Sequence, residues 1–400
     1  MTFPSVAAGR RIAGSLARMG RLFTGSAALG LLALLLVGGC RMDPEHFPQT
    51  ALFPISDFAK IGDAVQTTTF YWAVGVFILV EGALLYVMFR YRGKPNDPEP
   101  AQIHGNTAIE IIWTLIPALI LAAIAVPTVR GIFDTNATPK GDALKIEVIA
   151  HQWWWEFRYP EYNITTANQL YIPVGRKVAL KELSADVIHS FWAPRFAGKR
   201  DVFPNRETRL WFTAEKAGEY PGQCTEFCGI QHARMSFRVM AQEPADFEAW
   251  VKHMQSLGPK SVAVAPTPAP AESLQTRTAS AGGTVQEQGK APQVQAPAVP
   301  APSSPADSLY AAGEKLFTLK GCVGCHSLQA YQAPNGMIGP NLANVGSRTW
   351  IAAGTLKNTP ENLVHWIRFP QTVKEGVKMP NLGVTEAEAT ALAAFLRAHH

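Results

Sequence analysis

Residues 68–89 and 109–129 are apolar almost throughout, and each stretch matches the thickness of a lipid bilayer. A helix rising about 1.5 Å per residue needs about 20 such residues to cross the hydrocarbon layer. That layer holds no water to satisfy backbone N–H and C=O groups, so each segment is confined to a helix. The loop between them opens Arg90-Tyr91-Arg92-Gly93-Lys94, and basic residues favour the cytoplasmic side. The first helix therefore runs inward and the second outward, leaving everything after Arg130 outside. A content of 47% hydrophobic and only 17% charged residues suits a chain partly embedded in lipid. The net charge of +5 comes without a Lys/Arg run interleaved with aromatics, which argues against a nucleic-acid partner.

The amino-terminal segment reads as an export signal. Arg10, Arg11, Arg18 and Arg21 precede an apolar core at residues 27–37, then Gly38, Gly39 and Cys40. Val37-Gly38-Gly39-Cys40 is similar to the lipobox of bacterial lipoproteins, which implies acylation of Cys40 as the first mature residue. The expected organisation is a signal at 1–39, an exported segment at 40–67, a transmembrane hairpin at 68–130, and outer domains at 131–257 and 307–400 with a linker at 258–306. Glu81 lies inside the first apolar segment and reads as a helix–helix contact.

Beyond residue 143 the texture alternates. Residues 144–148, 177–183, 208–213 and 236–240 interleave apolar and polar side chains with Gly and Pro between, as half-buried strands do. An antiparallel sandwich or barrel is expected. Near its end Cys224, Cys228, His232 and Met235 stand too close together to come from separate strands, so one loop folds round a centre. A soft set of thiolate, imidazole and thioether suits copper, and two thiolates can bridge two ions. A second imidazole must come from elsewhere, with His189 the best-placed candidate. A disulfide or a zinc site would account for the cysteines, but neither needs Met235.

Residues 258–304 are rich in Pro, Ala, Gln and Thr and read as an extended tether. A small domain follows. Cys322-Val323-Gly324-Cys325-His326 is the c-type haem attachment signature, with two thiols for thioether bonds and His326 as an axial iron ligand. The opposite ligand is expected to be a thioether or imidazole. Met379, just before an amphipathic helix at 385–397, is the first choice; Met337 and His365 are the alternatives.

His151-Gln152-Trp153-Trp154-Trp155, His189, the stretch from Gly222 to Met235 and the segment Glu110-Ile111-Ile112-Trp113-Thr114-Leu115-Ile116-Pro117 together resemble subunit II of haem–copper cytochrome c oxidases over residues 55–252. Residues 307–400 resemble class I cytochromes c. The combination is similar to the caa-type arrangement, with a cytochrome c fused to subunit II. The resemblance implies a multi-domain membrane protein: two transmembrane helices, a cupredoxin-like Greek-key β-barrel and an all-α cytochrome c domain. It further implies a dinuclear CuA centre held by His189, Cys224, Cys228, His232 and Met235 through side chains and by the Glu226 carbonyl. The Glu226 carboxylate would help bind magnesium at the subunit I interface. Trp153 would be an exposed electron-entry residue, and Glu110 the mouth of a proton path. Partners would be subunits I and III, membrane lipid, and a donor such as a cytochrome c or a quinol–cytochrome c reductase. A nitric-oxide-reducing relative is the alternative activity.

Overall fold

The computed structural model describes residues 47–93, 97–139, 141–257, 305–329 and 338–399. The export signal, Cys40, the tether and Met337 lie outside them. From Pro54 onward the chain forms one connected unit.

Two long helices open it, α1 (Asp57–Arg90) and α2 (Thr107–Asn136), both long and apolar enough to cross a membrane. They extend past the apolar stretches because caps, not hydropathy, set their ends. The Ser56 hydroxyl accepts from the Ala59 N–H at 3.0 Å, and Asn106 accepts from Ala108 and Ile109. The polar first turn of α1 is bonded to the sandwich. Asp57 accepts from the Thr213 backbone at 2.7 Å and its hydroxyl at 2.8 Å. Phe58 packs edge-on against Trp211 at 5.4 Å, whose indole donates to the Thr135 carbonyl near the end of α2. The helix α2 runs unbroken through Pro117 and Pro127.

Ten strands form two five-stranded sheets. The first sheet, in the order β3-β2-β1-β5-β8, comprises β1 (Leu144–His151), β2 (Trp154–Tyr159), β3 (Ile164–Ala167), β5 (Lys177–Ser184) and β8 (Thr208–Thr213). The second, in the order β4-β10-β9-β6-β7, comprises β4 (Gln169–Pro173), β6 (His189–Trp192), β7 (Arg200–Val202), β9 (Gly218–Cys224) and β10 (Ser236–Gln242). The expected all-antiparallel pairing is not what forms: β1 runs parallel to β5 and β4 parallel to β10. In each pair the intervening chain crosses to another strand before returning, as a Greek key requires. Between the sheets, Phe191 stacks on Phe237 at 4.4 Å and Trp155 meets both edge-on at 5.5 Å. The helix α3 (Pro244–Ser256) closes one flank, with Trp250 stacked on Tyr171.

The carboxy-terminal part is helical: α4 (Pro305–Leu319), α5 (Pro360–Arg368), the single turn α6 (Pro370–Val373) and α7 (Glu386–Arg397). Phe317 of α4 packs against Phe395 of α7 at 5.7 Å. A short hairpin, β11 (Trp350–Ile351) with β12 (Leu356–Lys357), is set among these helices. Its turn passes through Ala352, Ala353 and Gly354, all at positive φ, which reverses the chain too tightly for a helix to continue.

Candidate metal centres and the contact between them

The first cluster sits where β6, β9 and the loop after β9 converge. Cys224 ends β9 and His189 begins β6, and both are buried. The loop then folds back so that Cys228 lies 3.8 Å from Cys224, sulfur to sulfur, with both thiols free. His189 Nδ1 is 3.9 Å from Cys224 Sγ, His232 Nδ1 is 3.7 Å from Cys228 Sγ, and Met235 Sδ is 3.9 Å from Cys228 Sγ. The Glu226 carbonyl stands 3.3 Å from Cys224 Sγ. Six donors named from the sequence thus surround one point, and the sulfur separation leaves the pair unbridged by a disulfide.

Hydrogen bonds fix which atoms face that point. His189 Nε2 lies 2.8 Å from Asp186, which leaves Nδ1 toward the sulfurs. Burial opposes the charge on Asp186, yet bonds from His189 and from the Gln152 and Val187 backbones hold its carboxyl far below the usual range. The hydrogen bond between the two sulfurs pulls the Cys224 thiol well below the usual range and pushes that of Cys228 up, so the pair readily holds one thiolate. The Cys228 carbonyl accepts from Gln152 Nε2 at 2.8 Å and from the Trp153 indole at 3.0 Å. A soft, deprotonatable and pre-oriented donor set fits copper.

The second centre is an apolar cavity lined by Cys322, Cys325, His326 and Met379. Cys322–Gly324 form one 3-10 turn, which sets both thiols and His326 on one wall. His326 Nδ1 is 2.8 Å from the Pro340 carbonyl, so Nδ1–H is the donor and Nε2 is left for a metal. Burial lowers the pKa of His326 and keeps the ring neutral. At Gly339 a Cβ would lie 2.5 Å from the His326 ring. Only glycine allows the chain to pass there. These features fit a covalently attached haem. His365 is exposed and packs on Phe369 instead.

The same cavity is also walled by Trp153 and Trp154 of the sandwich. The expectation of an exposed Trp153 is therefore corrected: it is only 9% accessible, packed in the sandwich core with its indole against Cys228 and Gly229 of the loop, while it shares the cavity wall with the carboxy-terminal unit. Trp154 packs with Ala353 and Ala167 in a separate buried cluster. The contact between the units is polar at its edges. Gln169 Nε2 donates to Thr349 Oγ1 at 2.9 Å, the Trp350 indole to Glu219 at 2.9 Å, and Ser236 N to the Ala353 carbonyl at 3.1 Å. At its centre lies Lys374, 1% exposed, with its pKa lowered by burial and by nearby Arg234 to about 7. Asp186 and Lys374 are not among the residues expected from the sequence. Asp186, three residues before His189, was open to detection as an imidazole partner; Lys374 carries no local signal.

The remaining expected residues lie apart. Glu110 is exposed in the first turn of α2. The Glu226 carboxylate faces outward, 3.9 Å from Lys199.

Comparison with known proteins places the chain's segments in named families. Residues 56–130 match the family described as cytochrome c oxidase subunit II, transmembrane domain. Residues 163–242 match its periplasmic domain, and residues 310–400 match cytochrome c. Cytochrome c oxidase subunit 2 of Alkalihalophilus pseudofirmus is 35% identical over 80% of this chain and 82% of that relative. Quinol oxidase subunit 2 of Bacillus cereus is 34% identical, over 58% of this chain and 80% of its own. The periplasmic domain of subunit II of cytochrome oxidase from Bradyrhizobium japonicum is 32% identical, covering 29% of this chain and 95% of that one with a TM-score of 0.28. With two membrane-span helices, a β-rich copper-type domain and a helical cytochrome c region in one sequence, the chain belongs to the cytochrome c oxidase subunit II family, as a membrane-anchored electron-transfer subunit of a haem–copper oxidase.

Proposed function

We propose that this chain is the electron-entry subunit of a proton-pumping, caa-type cytochrome c oxidase of the bacterial inner membrane, with its large carboxy-terminal part on the periplasmic side. His189, Cys224, Cys228, His232, Met235 and the Glu226 carbonyl would hold the dinuclear CuA centre. Cys322 and Cys325 would attach haem c, with His326 and Met379 as the side chains that would hold its iron. When bound, these groups supply one-electron redox chemistry, relaying electrons from haem c through CuA to haem a of subunit I, where oxygen becomes water.

The observation that carries this reading is the shared wall. Trp153 and Trp154 line the haem cavity, while the Trp153 indole bonds to the carbonyl of Cys228. The protein's own task is to hold both centres still. Cys224, at the end of a strand paired on both sides, and His189, pinned by Asp186, cannot move much when an electron arrives. Low reorganisation favours fast transfer. Glu110 would open a proton path into subunit I, and the outward Glu226 carboxylate would share magnesium there. Subunit III, lipid and an external cytochrome c or quinol–cytochrome c reductase complete the expected partners.

The test is turnover of the assembled oxidase on a reduced cytochrome c donor, wild type against Cys224→Ser. Oxygen uptake should fall by more than about a hundredfold, while haem c is still reduced. Unchanged uptake by the variant would sink the relay. Faster wild-type consumption of nitric oxide than of oxygen would favour the nitric-oxide-reducing alternative.

A further inference from the structure

Lys374 is an amine buried at a contact between two parts of one chain. It follows α6 in the carboxy-terminal unit, and its Nζ faces three backbone carbonyls. They are Arg234 at 2.8 Å, Ala352 at 3.3 Å and Trp153 at 3.5 Å. Two of these belong to the sandwich: Arg234 precedes the ligand-type residue Met235, and Trp153 holds the Cys228 carbonyl. The third belongs to the β11–β12 turn of its own unit. One side chain therefore ties the copper loop, the tryptophan wall and the cytochrome hairpin at a single atom.

The neighbouring backbone reinforces the tie from the other direction. Arg234 Nη1 donates to the Val373 carbonyl at 2.5 Å, and Gln231 donates to the Glu375 carbonyl. At the rim Lys378 pairs with Asp186 at 3.4 Å. Residues 373–378 and 231–234 thus exchange donors across the contact. A buried ammonium is costly unless its donors are matched. Two of the three matching carbonyls, those of Arg234 and Trp153, are brought to the amine only when the two units are docked, so a docked Lys374 without them would be buried and under-bonded.

We infer that Lys374 is the latch that positions the cytochrome unit on the copper loop, with the haem cavity closed against Trp153 and Trp154. The inference rests on the proposed relay for its purpose, though the docking is a separate claim. With the units docked, Trp153 and Trp154 stand between the cytochrome cavity and the copper loop.

The test uses the assembled, metal-loaded oxidase with Lys374→Met, which keeps an apolar stem, and Lys374→Gln, which keeps two N–H donors. Hydrogen exchange of residues 229–236 and 349–354 reports docking, and flash-initiated transfer from haem c to copper reports positioning. In the Met variant exchange should rise and transfer should slow by roughly tenfold each, with the copper and haem spectra unchanged. The Gln variant should fall between. Wild-type exchange and transfer in the Met variant would overturn the latch. So would a copper spectrum altered in step with the rate, since Lys374 would then only support the copper loop. If the wild type itself shows no haem-to-copper transfer, the relay fails, and the exchange measurement still decides the latch.

Discussion

Cys228 makes contacts in three directions, to Cys224, His232 and Met235. Replacing it with serine removes a bridging thiolate while leaving nearly the same volume. Cys228→Ser should bind about half the copper or less, with haem attachment intact. Metal analysis beside the visible haem spectrum checks this, and full copper binding would remove Cys228 from the site. Glu182 shows the opposite kind of residue, an ionisable group in the wrong place. It is fully buried on β5, and one oxygen accepts only a long bond, 3.4 Å, from Thr208. Burial pushes its pKa from 4.5 up to about 8 despite nearby Arg200. The folded state therefore keeps a proton that the unfolded chain loses. Its contribution to stability is fully present below about pH 4.5 and is lost as pH rises through about 8. Glu182→Gln should melt higher than wild type at about pH 9 and gain little at about pH 5, measured by scanning calorimetry. An equal difference at both pH values would contradict the assignment.

Elements were legible in the sequence wherever a local rule governs them. The strands at 177–183 and 208–213 show alternation because one face of each is buried. By contrast β3 and β4 are buried at every position, so no period marks them. The start of α7 was legible from its cap. Thr385 accepts from the Glu388 N–H, and Glu388 accepts from the Thr385 N–H at 2.9 Å. Thr385→Ala should cost about 1 kcal/mol, seen as a lower melting temperature of the cytochrome transition with the copper transition unmoved. The ligand loop was legible because four of its donors fall within twelve residues, and CysXXCysHis because covalent attachment demands that order. The contact beside Trp153 was not legible. Lys374 and its Arg234 acceptor are 140 residues apart, and no local pattern encodes a contact across such a distance.

At the scale of the whole molecule, two helices anchor a sandwich whose copper loop is capped by a cytochrome unit. The proposed orientation, with the basic residues Arg90 and Arg92 and the loop they open on the cytoplasmic side, is directly testable. Protease added to intact spheroplasts should then cut within residues 141–399, on the outer face, but spare residues 91–106; cleavage of that loop would contradict the orientation. The most direct measurement is electron paramagnetic resonance of the full-length chain in the assembled enzyme, recorded with its optical spectrum. The expected result is one unpaired electron shared equally by two coppers, beside a low-spin haem c band. A mononuclear copper signal, or none, with haem c intact would contradict the two-centre relay.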